Sequence, residues 1–218
     1  MQPSIAFILL AILAGLIVLA AAGHLILRPR MLHWGAAPNE AEAILGGDEL
    51  ISGPIMTTTR AISIKAEPEK VWPWLAQMGQ GRGGFYSYDW LENLAGMNIH
   101  NVQQIMPELQ NLRTGDLIPF WRGAGVNVVV VEPPRLLVLG GTFNKPQGET
   151  GVDESTGGTW VFRLNETEAK GTRLVVRSRV AAFKPAWLSA VFMFLLEPMH
   201  FIMERKMMLR IKELAERG

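Results

Sequence analysis

The chain has 218 residues, which is enough for one domain of ordinary size with additional segments. Its 21 Lys and Arg residues nearly balance its 20 Asp and Glu residues, so there is no strong basic field and nucleic acid is excluded as a default partner. The sequence has no Cys and can form no disulfides. Charged residues make up only 19%, below the roughly 25% of soluble domains, which indicates an unusually apolar segment.

That segment is at the N-terminus, where residues 5–27 carry no Asp, Glu, Lys or Arg. As a helix they extend about 35 Å, enough to cross a hydrocarbon core of about 30 Å. A cleaved signal peptide is the alternative, but no basic residue precedes the apolar run. Arg28, Arg30 and Trp34 follow it. The positive-inside rule therefore predicts a single-pass protein of the inner (cytoplasmic) membrane, with residues 1–30 as anchor and the C-terminal part in the cytoplasm.

Residues 31–55 mix Gly, Pro and acidic side chains and predict a juxtamembrane connector with about one helical turn after Asn39. A strand over 56–65 is predicted next. The residues at its odd positions are mostly small and polar, so the alternation predicts one buried face, formed by the even positions Met56, Thr58, Arg60, Ile62 and Ile64. A short helix should then follow Pro68 and present an apolar stripe at i, i+3, i+4 and i+7.

Gly79, Gly81 and Gly84 match the dinucleotide-binding pattern G-x-G-x-x-G. That site needs a strand before the first glycine and a βαβ unit around it, and here a helix precedes and no such alternation follows. The glycines instead predict a helix stop and a tight turn. A second short helix, about 87–94, is expected to present Trp90, Leu91 and Leu94 inward.

The following part of the chain predicts an antiparallel sheet, because runs of strand-forming residues are joined by short turns. Residues 142–158 predict a long polar loop at a cavity mouth or of high mobility. In the last strand Arg173, Arg177 and Arg179 share one face, which predicts a solvated sheet face. The predicted strands are 116–121, 126–132, 136–141, 159–164 and 172–181.

Residues 185–217 predict a long C-terminal helix that is apolar at first and amphipathic later. The apolar part is too short to cross a bilayer and should lie against protein or on the membrane surface. Glu197, His200 and Glu204 share one face of this helix. Glu-x-x-His is found in bridged metal sites only with a second such motif, which is missing, so no metal is predicted. A local ionic cluster or a His–carboxylate pair facing a cavity are the two remaining interpretations.

The predicted elements form an α+β arrangement: a strand, two short helices, a run of antiparallel strands and one long helix. This order is that of the helix-grip fold. The segments AEPEKVWPWLAQMGQGRGGFYSYDWLENLAG, GGTWVF and LEPMHFIMERKMM resemble the START-like (SRPBCC, or polyketide cyclase/dehydrase-like) superfamily, and more closely its bacterial members with a membrane anchor. The resemblance covers residues 56–218. It implies a curved sheet wrapped around the C-terminal helix, an apolar cavity between them, and a hydrophobic ligand. No catalytic residue is implied.

Two groups of residues are candidates for the ligand site. Arg82, Tyr86, Tyr88 and Asp89 lie at the turn between the short helices and either fix that turn, as an Arg–Asp pair would, or face a ligand. The tryptophans are individually core residues, although several facing one helix would suit a flat apolar ligand. The full set of predicted cavity-lining residues is Arg60, Trp74, Arg82, Tyr86, Tyr88, Asp89, Trp90, Trp121, Trp160, His200 and Glu204.

These patterns predict a membrane-anchored domain that binds a hydrophobic small molecule, such as a lipid, a quinone or a polyketide-like compound. An enzyme on such a substrate, with Asp89 or His200 as acid or base, is one alternative, and an anchored protein-interaction module with a filled core is another. The expected partners are the ligand and the lipid bilayer, and no cofactor is predicted. The sequence does not fix the oligomeric state.

Overall fold

The computed structural model describes residues 4–121, 124–142, 157–182 and 186–217. It confirms the predicted α+β arrangement: an apolar N-terminal helix, a six-stranded antiparallel sheet and a long C-terminal helix. The α-helices are α1 (Ile5–Leu32), α2 (Pro38–Glu42), α3 (Pro68–Ala76), α4 (Asp89–Leu94) and α5 (Ala186–Arg217). The strands are β1 (Met56–Ile64), β2 (Leu117–Trp121), β3 (Ala124–Glu132), β4 (Leu136–Thr142), β5 (Gly157–Glu166) and β6 (Thr172–Val180). Most of the predicted polar loop, residues 143–156, lies outside the described residues.

The strands are arranged in the order β1-β6-β5-β4-β3-β2, so the first and last strands pair at one edge of the sheet. Each neighbouring pair is antiparallel, and residues opposite one another point to the same face. One face packs against α5 and α3 and forms the main core, with Phe162, Leu137 and Val176 among its fully buried side chains. We call this the inner face.

The turn at Gly79–Gly84 follows α3, as the sequence predicts. Gly79 and Gly84 have φ angles of 129° and 78°, which residues other than glycine rarely adopt. Their backbones also pair with each other through Gly79 N and Gly84 O at 3.0 Å. The glycines therefore close a tight turn after a helix, and the context of a dinucleotide site is missing at this turn.

The opposite, outer face is not solvated where the arginines lie, so that prediction was wrong. Arg177 is 3% exposed, and its guanidinium donates to Asp48 at 2.5 Å and to the carbonyls of Ala41 and Ala43. Arg173 donates twice to Glu40, which lowers the pKa of that carboxyl. The connector thus covers the outer face, because arginine can donate five hydrogen bonds to the carbonyls and carboxylates of an adjacent segment.

Helix α1 is the one helix in the described part of the chain that is long and apolar enough to cross a membrane, over Phe7–Leu32. Its last turns and the residues just after it contact the domain. Arg28 of α1 pairs with Glu197 of α5, and the carbonyl of Trp34, two residues past the helix end, accepts from Ala61 N of β1 at 3.1 Å. The guanidinium of Arg205 lies over the Trp34 ring at 5.1 Å. The apolar helix is therefore joined to the domain by specific polar contacts and not by a free linker.

Candidate functional site

A buried ion pair between β1 and α5 forms the centre of the candidate site. Nη1 of Arg60 donates to Oε2 of Glu204 at 2.5 Å, and both side chains are 1% exposed. Nε of Arg60 donates to the carbonyl of Met31, near the end of α1, at 2.7 Å. Burying two charges is costly unless they are paired and hydrogen-bonded, so these contacts are what makes the arrangement stable.

The second oxygen of Glu204 accepts two hydrogen bonds from the inner face of the sheet. Nε1 of Trp160 donates to Oε1 at 2.8 Å, and Oγ of Ser178 lies 3.3 Å from the same atom. Thr58, Ser178 and Trp160 are directly opposite one another on β1, β6 and β5, so their side chains form a row beneath α5. The Thr58 hydroxyl is buried and has no hydrogen-bond partner among the described residues.

His200 lies one helical turn before Glu204 and faces the same pair. Its Nδ1 is 3.1 Å from Nη1 of Arg60, and its Nε2 is 3.5 Å from Oε1 of Glu204. Arginine only donates hydrogen bonds, so Nδ1 accepts, which places the proton of the neutral imidazole on Nε2. Burial lowers the pKa of His200; Glu204 and Glu197 oppose this shift and Arg60 adds to it. The side chain is still 32% exposed and can be reached by a ligand.

A row of aromatic rings leads from the accessible rim of the inner face to this cluster. Phe120 is 40% exposed, and its ring centroid lies 5.0 Å from that of Phe85. Phe85 lies 6.4 Å from Trp160, which in turn lies 4.8 Å from the buried Phe162. Trp160 is half-buried although it lies on a central strand. The rings form a continuous apolar wall that ends at the Glu204 carboxylate.

The turn residues do not join this cluster. Arg82 donates to the carbonyls of Ala76 and Met78 at 2.9 and 3.0 Å and fixes the turn, but the predicted pair with Asp89 is not formed. Asp89 is exposed and accepts from the backbone N of Trp90. An aspartate at the start of a helix finds backbone donors nearby, so it has no need of the arginine.

Tyr86 and Trp74 are packed in the core beside α3. The Tyr86 hydroxyl accepts from Nε2 of Gln77 at 2.9 Å, and burial raises the pKa of the phenol. The Trp74 ring meets the Tyr86 ring edge-on at 5.9 Å. These contacts give both residues a structural role in holding α3 against the turn.

The predicted inward placement of Trp90 and Leu94 was wrong. They are 64% and 80% exposed, and the buried residue of α4 is Glu92. The helix has six residues and starts at Asp89, so its apolar residues are too few to determine which side faces the core. Tyr88 is half-buried, with Nζ of Lys206 5.7 Å from its ring centroid. The side chain of Trp121 lies outside the described part of the chain.

The structure thus brings together four of the predicted residues: Arg60, Trp160, His200 and Glu204. It does not form the local cluster of Glu197 with the other two α5 residues, because Glu197 pairs with Arg28 of α1 at 2.6 and 2.7 Å. The sequence analysis missed four residues of the site: Thr58, Phe85, Phe120 and Ser178. Thr58 and Ser178 were recognisable as inward positions of alternating strands, but nothing in the sequence shows that their strands are neighbours.

A groove on the outer face is remote from this cluster. It has a volume of about 300 Å³ and lies between the connector and the sheet, bordered by Glu40, Ile44, Arg163 and Val175. Its polar groups are partly used, since Glu40 pairs with Arg173 and Arg163 donates to Asn165. The Arg60–Glu204 cluster is the stronger candidate, because the row of aromatic rings leads to it and His200 beside it is accessible.

No protein-family model matches the sequence, and no curated protein matches it significantly. Solved structures are similar to this chain at low identity. Protein MLL2253 from Mesorhizobium loti is 17% identical, with a TM-score of 0.40 over 75% of this chain and 98% of that one. CalU16 from Micromonospora echinospora is 16% identical, with a TM-score of 0.34 over 74% and 84% of the two chains. The Aha1 protein from Colwellia psychrerythraea is 17% identical, with a TM-score of 0.38 over 73% and 99%. The fold assignment rests on the element order and strand pairing of this chain itself.

Proposed function

We propose that this protein binds a hydrophobic small molecule at the membrane surface, between the inner face of the sheet and α5. The observation that carries the proposal is the position of the Arg60–Glu204–His200 cluster at the end of the aromatic row. Binding sites for small molecules combine apolar walls with a few polar groups that fix orientation. An amphipathic ligand, of the lipid, quinone or polyketide-like class, would lay its apolar part along the rings and its polar end at the cluster.

The unsatisfied hydroxyl of Thr58 supports this orientation. A buried polar atom without a partner costs about 1–3 kcal/mol, so most such atoms in proteins find one. Thr58 is fully buried, and it lies opposite Ser178 in the row beneath Glu204. A bound molecule that displaces the side chains covering this hydroxyl would supply the missing hydrogen bond with a carbonyl or hydroxyl group of its own.

The apolar helix supports a ligand that comes from the bilayer. Because Arg60 donates to the carbonyl of Met31, the cluster lies directly beside the end of α1. A domain held at the membrane meets a membrane-dissolved ligand at a high effective concentration. We therefore propose that α1 is a membrane anchor of the inner membrane, with the domain on its cytoplasmic side.

Native mass spectrometry of the full chain, released from mild detergent with and without added ubiquinone-2 or oleate, tests the proposal. We expect a stoichiometric adduct. Ser178→Phe, which fills the row beneath α5, should abolish it, and Trp160→Phe, which removes the indole donor to Glu204, should weaken it. The matched control is Trp90→Phe, since this side chain is exposed and lies on α4, outside the row. A folded chain that takes up neither probe, or that binds equally well in all variants, would overturn the proposal.

Catalysis on such a ligand is a second candidate, favoured by the state of His200. A neutral imidazole whose Nδ1 already accepts from Arg60 carries its proton on Nε2, so it could donate a hydrogen bond to a ligand's oxygen at the cluster and stabilise negative charge that develops there. Conversion of an extracted ligand by the native chain, and its loss with unchanged binding in His200→Gln, would establish this function. Equal conversion by both chains would exclude this role of His200.

A further inference from the structure

Helices α1 and α5 run side by side in the same direction. The ring of His24 contacts that of Phe194 at 4.7 Å, Arg28 pairs with Glu197, and Trp34 meets Phe201 at 6.5 Å. The residue numbers rise together along both helices, so the start of α5 lies on the side from which α1 approaches the domain. On that side α1 is the apolar, exposed helix that is long enough to cross a membrane.

The first charged residue of α1 is paired with the first charged residue of α5. No charged side chain precedes Arg28 in the chain, and none is present in residues 186–196 of α5 before Glu197. Arg28 donates to both oxygens of Glu197 at 2.6 and 2.7 Å, and the glutamate side chain is 1% exposed. The uncharged segments of α1 and α5 therefore end side by side, at the Arg28–Glu197 pair.

The part of α5 that precedes Glu197 is about three helical turns long. Helix α5 begins at Ala186. At about 1.5 Å per residue, its start lies up to about 16 Å beyond Glu197 along the helix axis. Phe194 is 42% exposed on this segment although it contacts His24. Among the other described side chains of the segment, Met193 and Leu196 are half-buried and Ser189 is buried. An uncharged helix that continues alongside a membrane-spanning helix with an exposed Phe on it fits an apolar environment, as its neighbour does.

We infer that the first part of α5, from Ala186 to Leu196, is inserted in the bilayer beside α1, with the Arg28–Glu197 pair at the headgroup level. The partner of this surface is lipid hydrocarbon. The inference rests on the proposed membrane anchoring and extends it, since the domain then enters the leaflet with its own C-terminal helix.

The insertion is one leaflet deep. The segment is shorter than the roughly 20 residues that a span requires. The pairing of Glu197 with Arg28 removes the charge that would otherwise keep α5 out of the membrane.

Depth measurement by electron paramagnetic resonance tests the inference directly. The chain has no Cys, so single cysteines can be introduced and labelled with a nitroxide without other changes. The labelled sites are Leu19→Cys in α1, Phe194→Cys and Ile202→Cys on the two sides of Glu197, and Ile44→Cys on the connector. These side chains are 74%, 42%, 49% and 89% exposed, so the label fits at each of them. The full chain is reconstituted in vesicles of phosphatidylcholine and phosphatidylglycerol, and collision with oxygen is compared with collision with the water-soluble nickel complex Ni-EDDA.

We expect the labels at 19 and 194 to collide at least several-fold more with oxygen, relative to the nickel complex, than the labels at 44 and 202. A label at 194 that behaves like the one at 44, while the label at 19 stays in the hydrocarbon, would overturn the insertion of α5 and leave the anchor intact. A label at 19 that is also accessible to nickel would overturn the anchor, and with it the basis of both proposals. Met193→Cys serves as a second variant if loss of the Phe194–His24 contact disturbs the fold.

Discussion

Arg60 and Glu204 stand 144 residues apart in the sequence and form an ion pair in which each side chain is 1% exposed. The pair joins the first strand of the sheet to the last helix. It also connects both to α1, through the hydrogen bond from Arg60 to the Met31 carbonyl. The same two residues that orient the candidate ligand site therefore hold three parts of the fold together.

Removing one charge of this pair should destabilise the domain strongly. Glu204→Gln keeps the shape of the side chain but leaves the guanidinium of Arg60 buried without a counter-charge. Loss of one partner of a buried pair typically costs about 3–5 kcal/mol, which corresponds to a fall in melting temperature of roughly 10 °C for a domain of this size. Thermal unfolding of the full chain in nanodiscs, followed by circular dichroism, measures it.

The matched control is Glu213→Gln on the same helix. Glu213 pairs with Arg210 and Arg217 at the surface, and we expect little change in melting temperature because exposed pairs contribute little. The double variant Arg60→Met/Glu204→Met should be less destabilised than the sum of the single changes, since no unpaired charge remains. Equal losses for Glu204→Gln and Glu213→Gln would contradict the importance of the pair.

Features that depend on neighbouring residues in the sequence could be predicted, whereas features that depend on contacts between distant segments could not. Arg60 is recognisable as an inward position because alternation along β1 is a local signal. The row Thr58–Ser178–Trp160 could not be predicted, because it depends on β1 and β5 both pairing with β6. The same limit explains the arginines of β6: alternation shows that they share a face, but only the path of the connector shows what covers it.

The connector should detach from the outer face when Arg177 is changed. Arg177→Met removes hydrogen bonds to Asp48, to Thr59 and to three connector carbonyls, and leaves the buried Thr59 and the half-buried Asp48 without this donor. We expect a loss of about 3–5 kcal/mol in stability. Amide hydrogen exchange in residues 35–53 should accelerate by at least tenfold, as measured by mass spectrometry on the full chain.

Arg163→Met is the control for this change, because Arg163 is an exposed arginine on the same face of the sheet. Amide hydrogen exchange in residues 35–53 of the Arg163→Met variant should match that of the unaltered chain. If Arg177→Met also leaves the exchange of residues 35–53 unchanged, the connector is held by its apolar contacts, such as that of Leu45, and not by the arginine.

Glu92 should make the domain less stable as the pH rises from about 4.5 to 7. Burial, with a smaller contribution from Asp89, raises the pKa of Glu92 to about 7 from 4.5, and its Oε2 has no hydrogen-bond partner in the described structure. Between these two pH values the folded protein holds a proton that the unfolded chain has lost, so stability falls with increasing pH and the penalty is complete above pH 7.

Glu92→Gln removes this titration. The variant should be more stable than the unaltered chain at pH 8 and similar to it at pH 4.5, as measured by urea unfolding at both values. Asp89→Asn should lower the pKa of Glu92 and reduce the stability difference between pH 4.5 and pH 8. Glu108 is exposed, and Glu108→Gln should leave the pKa of Glu92 unchanged. A Glu92→Gln variant that gains no stability at pH 8 would show that the carboxylate is not buried as described.

His200 should titrate below its ordinary value, and the two members of the ion pair should shift it in opposite directions. Burial lowers the pKa of His200, Glu204 raises it and Arg60 lowers it further. Glu204→Gln is therefore expected to lower the pKa and Arg60→Met to raise it. Imidazole resonances of the full chain in nanodiscs, recorded against pH by nuclear magnetic resonance, report both shifts, with His200→Gln to assign the signal.

Because the folded protein binds this proton more weakly than the unfolded chain does, stability should fall as the pH is lowered from about 6.5 through the depressed pKa of His200. His200→Gln should abolish that part of the loss. An imidazole at position 200 that titrates near 6.5 and responds to neither neighbour would lie outside the cluster. The catalytic alternative would then lack its hydrogen-bond donor.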